Sequence, residues 1–270
     1  MNIKKLITMV LVSIVALIWV IPFLWMLSAS LQLSHPYLAV LIPNQFPNLD
    51  KFVDALSYAS WGNLYLNTII FTLGTLAGQL VTITLAGFVF AYFKFPGKNL
   101  IFYAFLVQLL IIPTVLIVPN MSTLQSVGLL DTLFGIMLPY FASAFGTFLM
   151  RQAFRSIPKE YIEAALMDGA SLMQILRIIL VPMVKPSLTA FSIVSISAHW
   201  NEYLWPLMVI NSPSNQVLTV GFASFSKSAE AGADWGLVAA GALMIAAPLI
   251  IIFLLFQKTF IQSFGFSELK

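Results

Sequence analysis

The chain has 270 residues, of which 60% are hydrophobic and only 9% charged, against roughly 25% charged in an average soluble domain. Its formal charge is +3 and it holds no cysteine, which excludes disulfides and thiol chemistry and leaves the redox compartment open. Water is not the main solvent of such a sequence, and no hydrophilic stretch is long enough to bury a soluble core.

Five windows lack Asp, Glu, Lys and Arg, and a sixth, 186–210, is interrupted only by Glu202. Each can hold the roughly 20 apolar residues that a spanning helix needs. They predict six transmembrane helices, with cores at 6–31, 64–93, 100–119, 133–150, 187–208 and 235–256. The predicted fold class is therefore all-α, a polytopic membrane protein forming a single domain over 1–270. A β-barrel would show alternating ten-residue strands, and runs such as LIIIFLLF do not alternate.

The first segment follows Lys4 and Lys5 and carries Ser28-Ala29-Ser30, the outline of a secretory signal. Its apolar run of about 25 residues exceeds the 7–15 of a signal core, so it is read as a retained helix. In the outer loop that follows, His35-Pro36, Pro43-Asn44 and Pro47-Asn48 read as turns. The second segment is longer than one straight crossing. Its Gly74-Thr-Leu-Ala-Gly78 is a small-xxx-small spacing, read as ordinary bundle packing. Pro113 and Pro119 predict a kink or break near the outer end of the third segment.

Cytoplasmic loops collect Lys and Arg. With the N-terminus inside, Lys4, Lys5, Lys94, Lys98, Arg151, Arg155, Lys159, Arg177, Lys185, Lys258 and Lys270 fall inside, and only Lys51 and Lys227 outside, so 11 of 13 basic residues obey. Both termini are then cytoplasmic, and the positive charge is a topology signal with no bearing on nucleic acid.

The longest inner segment, 151–185, predicts a helix, a tight turn and a helix. Ser156 is expected to cap the first helix, with Pro158 in its opening turn. Gly169 supplies the left-handed conformation that ends it. Ser171 and Gln174 have capping-box spacing for the second, which Pro182 is expected to end or kink. Tyr161, Ala164, Ala165 and Asp168 fall at i, i+3, i+4 and i+7, one face with two tiny residues at its centre. Glu160 and Glu163 lie beside it, placed to pair with basic groups on a partner. The bland alternative is an interfacial helix with solvated charges. A helix-turn-helix DNA reader would need a basic docking face that is missing.

The fifth segment holds the most polar intramembrane cluster, His199-Trp-Asn-Glu-Tyr-Leu-Trp205. A carboxylate at the bilayer centre costs about 2.5–3.5 kcal/mol on the insertion scale, which makes His199, Asn201, Glu202 and Tyr203 candidates for a translocation path. Against this, Glu202 lies beyond Lys185 by about 25 Å of helical rise, near the outer interface, and Trp200, Tyr203 and Trp205 suit an aromatic belt. Both readings stay open. The outer loop 211–234 lacks periodicity and is read as an adaptable surface for a partner outside.

Glu163-Ala-Ala-(x)2-Asp168-Gly169-Ala170, followed by Ile178, Leu180, Pro182 and Pro186, resembles the EAA loop of membrane subunits of binding-protein-dependent ABC importers. With FVFAYFKFPGKN, GLLDTLFGIMLPY, MRQAFRSIPKEYIEAALMDGAS and HWNEYLWPL, the resemblance extends over nearly the whole chain to MalG-type permeases of carbohydrate importers. It implies the ABC importer permease fold, with an EAA coupling loop at 152–185. Glu160, Glu163, Ala164, Ala165, Asp168 and Gly169 would dock a separate ATP-hydrolysing subunit. It also implies two such subunits, a second related permease, an extracytoplasmic solute-binding protein and a bacterial inner-membrane location. Val181 stands where relatives often have Leu, and the QSFGFSELK tail departs from a TAG-containing tail of some of them.

No GxxxxGK[ST] occurs, so this polypeptide has no P-loop. It is expected to be no enzyme and to bind no cofactor, ATP and Mg being held by the partner. The solute would be a carbohydrate or a related compound such as a glycerol phosphate. The rival reading is a proton-coupled secondary transporter using Glu202 and His199, a class in which inverted repeats are common and of which no repeat is visible here. A non-transporting scaffold is the third reading.

Overall fold

The computed structural model describes residues 3–32, 48–231 and 234–265. The turns expected at His35-Pro36 and Pro43-Asn44, residue Pro47, and the tail 266–270 lie outside the described residues. In chain order the helices are α1 (Ile3–Ser30), α2 (Asp50–Tyr58), α3 (Trp61–Tyr92), α4 (Lys98–Leu106), α5 (Ile117–Ser126), α6 (Leu133–Met137), α7 (Ala144–Arg155), α8 (Glu160–Met167), α9 (Leu172–Gln174), α10 (Val181–Met183), α11 (Lys185–Trp200), α12 (Leu204–Val209), α13 (Leu218–Ala231) and α14 (Trp235–Gly265). Among the described residues there is no strand.

Three helices are long and apolar enough to cross a membrane: Lys5–Ser30, Trp61–Tyr92 and Trp235–Leu255. Three bent helix pairs have the length and composition of broken spans or re-entrant loops, namely Lys98–Leu110 with Pro113–Ser126 (101°), Leu133–Tyr140 with Ala144–Arg155 (49°), and Leu172–Met183 with Lys185–Trp200 (75°), which gives up to six crossings if each pair is one span. The sharpest bend sits where Pro113 was expected to break the third segment. Ile112 before it is extended, with ψ 124°, because the proline ring excludes the helical conformation of its predecessor.

The fifth segment differs from expectation at both ends. Its helix stops at Trp200, and Asn201, Glu202 and Tyr203 interrupt what the sequence suggested was one run to 208. On the inner side, Leu172–Met183 pairs with it as a bent span. That stretch ends at Met183, one residue after Pro182, and bends at Val184, just before Pro186, close to where Pro182 was expected to end or kink it. A π-helical turn over Ile175–Leu180 precedes Pro182, which has no amide to donate.

The chain forms two compact units. One draws on Met1–Gly62 and Leu218–Phe253. In it, Ala55, Phe225, Ala229, Leu237 and Ala240 form a small core, and the Trp61 indole donates to the Ala55 carbonyl at 2.6 Å. Asp234 caps α14 by accepting from the Leu237 amide at 3.0 Å, while its other oxygen pairs with Lys51 at 2.5 Å. By contrast α1 presents apolar side chains all round its outer length, such as Leu17 and Trp19, as a lipid-facing helix does.

The second unit holds Asn63–Val217 and Leu254–Lys270. Its core packs Ile83 and Phe88 of α3 against Met150 and Phe154 of α7, with Ile157, Ile175, Leu176, Leu180 and Phe191. Close helix approach depends on glycine. A Cβ at Gly78 would lie 2.5 Å from the Phe141 ring, and one at Gly87 2.6 Å from Met150 Cβ. Gly74 faces Met137, so the small-xxx-small pair serves packing within the chain, as expected.

Candidate functional site

The charged helix α8 is built by its flanks. α7 ends at Arg155, and Ser156 closes it: its amide donates to the Gln152 and Ala153 carbonyls (3.1 and 3.3 Å) and its hydroxyl to Ala153 (2.8 Å). Ser156 has helical dihedrals, φ −78° and ψ −12°, whereas an N-cap is non-helical. It therefore ends one helix instead of opening the next, which corrects the expected capping role. Ile157 then turns into the core, and α8 starts after Lys159.

Eight residues are too few for an isolated helix to persist in water. Two anchors hold α8 in place. Ile162 and Ala165 pack into the core around Phe154, Ile157 and Ile175. Beyond them Gly169, at φ +80°, ends the helix in a Schellman turn: its amide donates to Leu166 and the Ala170 amide to Ala165, both at 3.0 Å. The expected capping box follows, with the Ser171 amide donating to Gln174 Oε1 (2.8 Å) and the Gln174 amide to Ser171 Oγ (3.4 Å).

Ala165 is thus an inward anchor, 8% exposed, and leaves the face assigned to it from spacing. The outward face consists of Glu160, Tyr161, Glu163, Ala164, Met167 (88% exposed) and Asp168. None of the three carboxylates has an ion-pair partner among the described residues. Glu160 and Glu163 sit in the first turn, where the helix dipole favours them. Asp168 occupies the C-cap, where the dipole disfavours an anion; folding alone gives no reason for it. Behind α8 lies a cavity of about 340 Å³ between Phe88 and Tyr92 of α3 and Ile162 and Ile175, with Lys159 and Glu163 lining it.

The second candidate group separates. His199 is buried, 6% exposed. Its Nδ1 lies 2.7 Å from the Ser195 carbonyl, and its ring meets Tyr140 edge-on at 4.6 Å. Ser195 Oγ donates to Gln79 Oε1 at 2.6 Å, and the Gln79 amide donates to the Tyr140 carbonyl at 2.9 Å. This closed network joins α3, the Leu138–Tyr140 turn and α11. Asn201 and Tyr203 are exposed at the break after α11, and Glu202, half-buried there, interacts with the Tyr140 hydroxyl.

Two features escaped the sequence reading. Asn67, Thr68, Thr72, Thr75 and Gln79 form a buried polar row along α3, and the hydroxyls of Thr72 and Thr75 have no hydrogen-bond partner among the described residues. The spacing 68, 72, 75, 79 in a charge-free window was its signal. The other is Asp131, the one non-glycine at positive φ (58°) among the described residues. Its Oδ1 accepts from the Asn211 and Ser212 amides, both at 2.9 Å, its Oδ2 accepts from the Ser212 hydroxyl, and its carbonyl accepts from the Asn215 side chain at 2.7 Å. Asn67 ties down Ser214 and Gln216 (2.7 and 2.9 Å). The loop expected to be adaptable is therefore pinned over 211–216, and most of its remainder is α13. No cluster of three His, Asp or Glu residues suited to a metal occurs among the described residues.

Residues 83–264 match the family described as binding-protein-dependent transport system inner membrane component. The sn-glycerol-3-phosphate transport system permease protein UgpE of Yersinia pestis is 31% identical over 250 residues, covering 89% of this chain and 88% of the relative. A crystal structure of a bacterial ABC transporter involved in the import of the acidic polysaccharide alginate is similar at a TM-score of 0.81 and 23% identity, covering 95% of this chain and 96% of its own. Another, of the bacterial alginate ABC transporter in complex with alginate pentasaccharide-bound periplasmic protein, is similar at a TM-score of 0.68 and 15% identity, covering 94% and 93%.

Proposed function

We propose, from the premise that this chain belongs to the binding-protein-dependent transport system inner membrane components, that it couples a separate ATPase to the uptake of a carbohydrate or a related solute. The chain is the permease subunit of such an importer, in a bacterial inner membrane. Relatives that carry sn-glycerol 3-phosphate, and structural neighbours that import alginate, support a hydroxyl-rich and often acidic cargo. The neighbour seen with a periplasmic protein supports a soluble receptor as the source of solute.

The exposed face of α8 carries this reading. A short helix anchored by Ala165 and its Schellman turn holds Glu160, Glu163 and Asp168 outward without basic partners in the described chain. We place two ATP-binding subunits against two such helices, one on this chain and one on a second, related permease. Closure of the nucleotide sites draws the helices together and rocks the bundle between inward-open and outward-open forms. ATP and Mg belong to the partner; this chain supplies force transmission and the gate, no bond-breaking chemistry and no cofactor site. Both termini and α8 then share the cytoplasmic side.

Ala164 is central on the free face, so Ala164→Trp tests the docking while leaving the core untouched. The expected result is at least a tenfold fall in ATP-driven uptake, with loss of ATPase subunit from the purified complex. Wild-type assembly and uptake would overturn the assignment.

Asn201, Glu202 and Tyr203, at the break after α11, are proposed to line the outer mouth of the path, whereas His199 serves the packing network. Glu202→Gln should raise the KM for uptake several-fold with the maximal rate little changed. Unaltered kinetics would assign Glu202 to the interface.

A further inference from the structure

The turn between α3 and α4 brings Lys94 and Lys98 to one cavity, and Arg151 and Arg155 at the end of α7 lie near Lys98. Lys94 and Lys98 line a cavity of about 350 Å³ together with Phe95, Gly97, Asn99 and Leu100. Arg151 and Arg155 are close enough to Lys98 to repel it, and Arg155 repels Arg151. None of the four has a carboxylate partner among the described residues. Like charges gathered without a counter-ion cost free energy, so a bare topology signal is a poor account of them: lysines and arginines scattered over the loops would satisfy that rule equally well.

Two of the cations are held in position. Lys98 Nζ donates to the Phe93 carbonyl at 2.8 Å, at the end of α3. Arg151 Nε donates to the Phe90 carbonyl at 3.2 Å, and its guanidinium lies 4.0 Å from the centre of the Phe102 ring. Lys94 and Arg155 are exposed, and neither side chain forms an ion pair among the described residues. Gly97 gives α4 no side-chain cap, and the first turn of α4 holds no acid, so its leading amides add to the positive field. Apolar side chains begin at once beyond this point: Leu100, Ile101 and Tyr103 are all exposed on α4.

We propose that this basic cavity binds the phosphate headgroup of an anionic phospholipid, whose acyl chains lie along the exposed side of α4. The arrangement fits the basic pockets beside membrane helices that hold acidic lipids. Hydrophobic surface next to the cations selects a lipid over a free anion, because only a lipid covers both. The site lies beside the connection from α7 to α8, so lipid bound there would brace the base on which α8 stands.

The test uses the assembled transporter in nanodiscs with graded mole fractions of phosphatidylglycerol in phosphatidylethanolamine, and bound lipid is counted by native mass spectrometry. Lys94→Gln and Arg155→Gln remove charge without removing a hydrogen bond. Each should weaken phosphatidylglycerol binding about fivefold, and the pair by more than tenfold. Lys94→Arg should restore binding, and Lys227→Gln on α13 should leave it unchanged. Equal lipid retention by all variants overturns the proposal. So does displacement of the lipid by millimolar inorganic phosphate, which would mark a small-anion site, or loss of the ATPase subunit from Arg155→Gln with lipid binding intact, which would mark a protein contact.

Discussion

Asp131 shows how much one side chain can organise. Hydrogen bonds to its carboxylate from the Ser212 hydroxyl first and the Ser212 amide next hold its pKa below the ordinary carboxylate value, with burial opposing them and the Asn211 amide adding the smallest share. A carboxylate with a depressed folded pKa contributes fully above the ordinary value near 4 and loses its contribution as pH falls through the lower folded value. The 211–216 segment should therefore resist proteolysis from pH 8 down to about 5 and loosen only below about 4. Asp131→Asn keeps a residue type that tolerates positive φ but removes the charge and one acceptor. It should speed amide exchange at Asn211 and Ser212 several-fold at pH 7 and abolish the acid step; an unchanged exchange profile would show that the loop holds itself. Ala165 makes a complementary point. Its spacing put it on the same face as Ala164, yet one is buried and the other free, because a helix seen along its axis gives the face and only tertiary contact says which edge of that face turns inward.

At the scale of elements, α8 depends on how it stops. A Cβ at Gly169 would meet nothing within 4 Å, so the cost of Gly169→Ala is conformational alone, about 1 kcal/mol for an L-residue in the left-handed region. That is small for the whole bundle and large for so short a helix. Uptake per ATP hydrolysed should fall while thermal unfolding of the bundle barely moves, and Gly169→Asn, better tolerated at such caps, should lie between. A large loss of bundle stability would mean that the turn supports more than α8. Gly169 and the Ser171 box were legible in the sequence because their signals are local: one residue without a Cβ, and one Ser-to-Gln spacing. The six apolar stretches were legible for the same reason, since composition over a window the length of one crossing is all they require. The bend before Ala144 was not, and the early end of α11 went unread, whereas the bend before Lys185 falls two residues after Pro182, where an end or kink was expected. The break at Asn201–Tyr203 does have a local mark, since Pro206 has no amide to donate to the Glu202 carbonyl four residues back; the Trp205 indole, donating to the Ile136 carbonyl at 3.0 Å, then anchors the short helix that follows.

At the scale of the whole molecule, the question is what drives it. An ion-coupled carrier needs a titratable group that can exchange its proton with water during the cycle. His199 is poorly placed for that: it is buried, its Nδ1 is engaged by the Ser195 carbonyl of its own helix, and its ring is enclosed by Tyr140 and Phe71. Glu202 remains half-exposed, but a single carboxylate at the end of a helix gives no relay across the chain. The outward acidic face of α8, by contrast, gives ion coupling nothing to use, whereas in the proposed importer it is the surface that meets the ATPase. Proteoliposomes holding the complete transporter, with receptor and solute outside and ATP inside, should therefore accumulate solute when a protonophore is present. They should stop when ATP is replaced by a non-hydrolysable analogue, and a proton gradient imposed in place of ATP should yield no uptake. Accumulation driven by the gradient alone would remove the need for α8 as a coupling element and return the function to Glu202.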